Sequence, residues 1–85
     1  MEKITQKKTL TKVKGILAKK FGVERKKIIA EAHLHYDLNL IDRECVALII
    51  EVESCFGIRI PDEEAEKIQQ VQDLLNYLKF AGISE

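Results

Sequence analysis

Cysteine, proline and long apolar runs are all scarce in this 85-residue chain, and each scarcity excludes a class of protein. With only Cys45 and Cys55 as thiols, and no secretion signal, the sequence argues against a disulfide framework. Both read as small core residues. No stretch approaches the roughly 18 apolar residues of a membrane span, and the opening residues mix Lys, Gln and Thr. The chain therefore reads as a cytoplasmic, soluble protein, expected to be a monomer. No nucleophile and base stand at a spacing that suggests a site, and a chain this short buries only about 60% of its unfolded surface. It is not expected to be an enzyme. His33 and His35 lie two apart, pointing to different sides of most backbones, and no Cys or carboxylate cluster completes a metal shell.

What the chain does have is 46% apolar and 33% charged residues, the balance of one globular domain. Its net charge of zero hides an asymmetry. Residues 1–27 hold ten Lys/Arg against two Glu, giving +8, whereas residues 28–85 hold four against twelve Asp/Glu, giving −8. Nine of the ten, Lys7, Lys8, Lys12, Lys14, Lys19, Lys20, Arg25, Lys26 and Lys27, offer a polyanion or an anionic membrane surface a place to land. No aromatic is interleaved to stack on bases and no groove-reading motif accompanies the lysines, so no specific nucleic acid is expected. A solvated basic face is the plainer reading.

Leu10, Val13, Ile16, Leu17 and Phe21 recur at helical spacing and predict an amphipathic helix of three to four turns ending at Gly22. Gly57 after Phe56 and Gly82 after Ala81 repeat that stop signal. The second helix is predicted over Asp42–Phe56, with Cys45, Val46, Leu48, Ile49, Val52, Cys55 and Phe56 on its apolar arc. Its outward strip holds Arg43, Glu44, Ala47, Glu51 and Ser54, with Ile50 at the margin. Pro61 followed by Asp62-Glu63-Glu64 starts a third helix of about two turns to Ile68, with Asp62 as a candidate cap. Val71, Leu74, Leu75 and Leu78 form the stripe of a fourth, flanked by Tyr77 and Phe80. Residues 22–41 carry no sustained periodicity, a long connection that must be tied down, and Ile28, Ile29, Leu34, Leu38 and Leu40 are its expected anchors. The fold class is all-α: a four-helix bundle with a short third helix and a long loop between the first two.

The run Ile58-x-Ile60-Pro61-Asp62-Glu63-Glu64-Ala65-Glu66-Lys67-Ile68, with Val71 and Tyr77 after it, resembles the third and fourth helices of bacterial acyl carrier proteins. The likeness runs back through Phe56-Gly57, Val46, Leu48, Asp37-Leu38, Ala32-x-Leu34 and Gly22-Val23 to Val13. It implies an acyl-carrier-like domain over residues 9–81, an N-terminal extension 1–8 and a tail 82–85. It also implies an attachment serine, in an Asp-Ser-Leu motif at the start of the second helix, bearing the phosphopantetheine arm on which acyl chains ride as thioesters. Here the motif reads Ile41-Asp42-Arg43, and the only serines are Ser54 and Ser84. A carboxylate attacking the coenzyme A pyrophosphate would give a hydrolysable acyl phosphate, so Asp42 is no substitute and no phosphopantetheine is expected. Asp42 reads instead as the helix N-cap, a fixed anion at the positive helix end.

Two functional expectations follow. In the first, the chain is a carrier homologue without its prosthetic group, a protein-interaction or regulatory module linked to acyl, lipid or polyketide metabolism. It would dock a protein partner, such as an acyl-processing enzyme, through Arg43, Glu44, Ala47, Ile50 and Glu51. The alternative is a working carrier in an unusual fatty-acid or secondary-metabolite pathway, with cargo on another nucleophile such as Cys45. Against it, Cys45 falls on the apolar arc, where thiols are inert.

Overall fold

The computed structural model describes the backbone of residues 2–83 and the side chains of residues 9–83. Four helices follow one another: α1 (Glu2–Phe21), α2 (Asp42–Phe56), α3 (Asp62–Ala65) and α4 (Val71–Phe80), with a 3-10 turn at Arg25–Lys27. The all-α bundle with a short third member and a long first connection is the expected one. Among the described residues the only β pairing is an isolated bridge between His33 and Gln70. No helix among them is long and apolar enough to cross a membrane.

The helix ends follow from the glycines. Gly22, Gly57 and Gly82 all adopt positive φ, at 68°, 66° and 91°. At Gly57 that conformation turns two successive amides back, so Gly57 N–H (2.8 Å) and Ile58 N–H (3.2 Å) both donate to the Glu53 carbonyl. The starts differ more from expectation. α1 begins at Glu2, upstream of Leu10, because residues 2–9 hold Glu, Lys and Gln, good helix formers, and no glycine or proline. The side chains of residues 2–8, Lys7 and Lys8 among them, lie outside the described ones, as does Ser84 of the tail, while the backbone of the expected extension 1–8 is described from Glu2 and is continuous with α1. α3 is one α-turn rather than two, since beyond Ala65 the chain tightens into i→i−3 bonds, Lys67 N–H to Glu64 and Ile68 N–H to Ala65. Its cap position is Pro61, and Asp62 is the first helical residue.

The core takes Val13 and Leu17 from α1, Leu48 and Val52 from α2, Ile60 from the α2–α3 link, and Val71, Leu74, Leu75 and Leu78 from α4. The long loop supplies Ile28, Ala32, Leu34, Leu38 and Leu40, all buried, so it is a structural layer and not a tether. Ile29, an expected anchor, is 53% exposed: it follows Ile28 directly, and the short turn there sends the two side chains to opposite sides. The loop's backbone is satisfied against α4 and its approach. Leu34 N–H donates to Gln69 (2.8 Å), Val71 N–H to Ala32 (3.0 Å) and Gln72 N–H to Ala30 (2.8 Å). Asn39, exposed and at φ 61° in the left-handed region that asparagine tolerates, stands between the buried Leu38 and Leu40.

Candidate functional site at the head of the second helix

Everything that reaches the start of α2 is positioned by the turn His33–Leu40. His33 N–H donates to Asp37 Oδ2 (2.7 Å), while His33 Nδ1 accepts from the backbone N–H groups of His35 (3.1 Å) and Tyr36 (3.2 Å). His35 Nδ1 lies 2.8 Å from the Leu40 carbonyl, which can only accept, so that nitrogen carries the proton. The two histidines thus staple the turn, with the Tyr36 ring tilted against that of His33 and edge-on to that of His35. A His33 lone pair holding two amides is committed, and no group of three or more metal-binding side chains occurs among the described residues.

This turn delivers the chain to Ile41, which has extended backbone and is the N-cap of α2, making Asp42 the first helical residue. The expected capping role of Asp42 is therefore corrected by one position. An isoleucine offers no oxygen, and the carboxylate that does the capping is Glu44, whose Oε1 accepts from Ile41 N–H at 3.0 Å. Asp42 is exposed, its charge favourably placed against the unpaired amides of the first turn. Glu44→Ala is expected to lower stability by about 1 kcal/mol and Asp42→Ala by less, read from urea denaturation midpoints.

Along the outward strip, Arg43 and Ile50 are exposed and Glu44, Ala47 and Glu51 half-buried. Glu51 turns toward α1, its Oε1 3.9 Å from Lys20 Nζ. Val46, assigned to the apolar arc, is instead 60% exposed beside Ile50 at 56%. At about 100° per residue Val46 lies about 60° from Arg43 and 40° from Ile50, with Leu48 and Val52 roughly opposite, so a tighter wheel would have placed it outside. Cys55 was also expected in the core and is exposed. Wheel angle gives a direction, and at the last turn of α2 nothing covers that direction.

Between α2 and residues 58–69 runs an open groove of about 1220 Å³. Cys45, Ile49, Ile58 and Ile68 line it, with Asp42, Asp62 and Glu66 among the acidic residues around them. Its lower wall is fixed by Glu53, whose Oε2 accepts from Ile60 N–H at 2.6 Å. Cys45 is half-buried, and desolvation, followed by the nearby Asp42 and Glu44 carboxylates, pushes its thiol above the ordinary range. Less thiolate at neutral pH means a weaker nucleophile. Maleimide should label exposed Cys55 at least about tenfold faster than Cys45 at pH 7, checked by mass spectrometry of the C45A and C55A variants; a faster Cys45 would revive it as a cargo site.

No family model matches the chain. An acyl carrier protein from Thermosynechococcus vestitus is 43% identical over 75 residues, 88% of this chain and 93% of that protein. One from Rubrobacter xylanophilus is 41% identical over 69 residues, 81% of this chain and 85% of that protein. Proteins of this kind are carriers and not enzymes. With that identity over nearly its full length, and with the bundle described above, the chain belongs to the acyl carrier protein family.

Proposed function

We propose that this acyl carrier homologue bears no phosphopantetheine arm and serves as a docking or regulatory module for acyl-processing enzymes. The observation that carries the reading is Asp42. It occupies the exposed first residue of α2, where the family needs an alcohol, and its flanking residues Ile41 and Arg43 differ from the motif as well. Ser54 lies twelve residues further along α2, about 18 Å away at 1.5 Å per residue, and so supplies no alcohol at the head. The docking face would be Arg43, Glu44, Ala47, Ile50 and Glu51, to which the exposed Val46 adds a second apolar contact. Arg43 and Ala47 dilute its negative charge, so steering toward strongly basic patches is weak and apolar contact carries more of the affinity. The decisive experiment is an attempt to load the chain enzymatically with the arm. A loaded product ends the proposal.

A further inference from the structure

We infer that the corner formed by the end of α1 and the following 3-10 turn is a peripheral attachment site for an anionic lipid surface. Lys19 and Lys20 close α1, and Arg25, Lys26 and Lys27 form the turn packed against it, all five exposed. Val23 N–H bonds back to the Leu17 carbonyl at 3.1 Å, which folds the second cluster onto the first. Lys20 reaches Glu51 at 3.9 Å and Lys27 reaches Glu24 at 3.7 Å, both at the surface. Lys19, Arg25 and Lys26 make no ion pair among the described residues.

The second observation is Ile29. Ile28, fully buried, pins the turn to the core, and its amide donates to Arg25 at 3.0 Å, so the adjacent Ile29 is held outward two residues from Lys27. Exposed cations close in the chain to a fixed, exposed branched apolar side chain match the two layers of a bilayer interface, phosphate above and acyl chain below. A nucleic acid would use the cations and leave the isoleucine wet. The carboxylates of the body do not cancel the attraction. Interactions between exposed charges are screened beyond about 8 Å at physiological ionic strength, against molecular extents of 33 × 29 × 19 Å, so the opposing charges that count are the adjacent Glu24 and Glu51.

Each cation held near an anionic leaflet strengthens attachment about fivefold. The test is co-sedimentation of the full chain with vesicles of phosphatidylcholine alone or with about one third phosphatidylserine. Binding is expected on the anionic vesicles only, lost in high salt. Arg25→Glu with Lys26→Glu should weaken it by at least about 25-fold and Ile29→Ser by about fivefold, with circular dichroism unchanged because all three side chains are exposed. Absence of binding to anionic vesicles at low salt, or equal binding to neutral ones, overturns the inference. So does an Ile29→Ser variant that binds anionic vesicles as the wild type does, or equal affinity for duplex DNA, since either describes a general polyanion patch.

Discussion

Incubated with coenzyme A and a broad-specificity phosphopantetheinyl transferase, the wild-type chain is expected to keep its intact mass, while an I41D/D42S/R43L variant gains the mass of one arm. The transfer needs an alcohol oxygen to attack the pyrophosphate and leave a stable phosphodiester. Asp42 offers only a carboxylate, and any phosphorylated product would be an acyl phosphate that water cleaves. The fold asks for no other repair. Asp42 is already exposed, the positive end of α2 favours an anion there, and the α2 cap resides on Glu44, which the triple variant keeps. Asp42→Ser alone should load slowly, because Arg43 leaves a cation where the motif has leucine. Mass gain by the wild type at any residue would mean that the family's chemistry survives here, and the docking reading would then lose its basis.

The parts of this molecule legible in its sequence are those that a single residue or a period determines. Gly22, Gly57 and Gly82 each announced a stop because the left-handed conformation has few other occupants. The α4 stripe of Val71, Leu74, Leu75 and Leu78 is wholly buried, as its spacing requires. Where the outcome rested on coverage or on one residue of register, pattern fell short. Ile28 and Ile29 are equally apolar, and only the turn decides which is inside. Val46 lies on the far side of the helix from Leu48, and it falls inside the predicted apolar arc only because that arc spans more than half the circumference. Asp42 and Glu44 are both plausible anions at a helix start, and the choice between them followed from the backbone entering at Ile41. The role of the histidines was invisible for a different reason: their partners are backbone groups, two amides for His33 and the Leu40 carbonyl for His35, which leave no side-chain signature to read.

Leu34→Ala is expected to destabilise the fold by about 3 kcal/mol, as much as Leu48→Ala in the middle of α2, measured from urea unfolding midpoints at constant slope. A loop residue ordinarily carries far less. Here Leu34 is 2% exposed and Leu48 fully buried, so both truncations leave a void of similar chemistry within one core cluster. The whole domain is worth roughly 4–13 kcal/mol at this length, so either change removes a large share. Ile29→Ala supplies the contrast, since a half-exposed side chain has little contact to lose and should shift the midpoint only slightly. A Leu34→Ala cost below about 1 kcal/mol would mean that the loop drapes over a core completed by helices alone. In that case the staple around His33 would no longer explain how Asp42 is held at the head of α2, because a turn that is not anchored through Leu34, Leu38 and Leu40 cannot fix the entry of the chain into the helix.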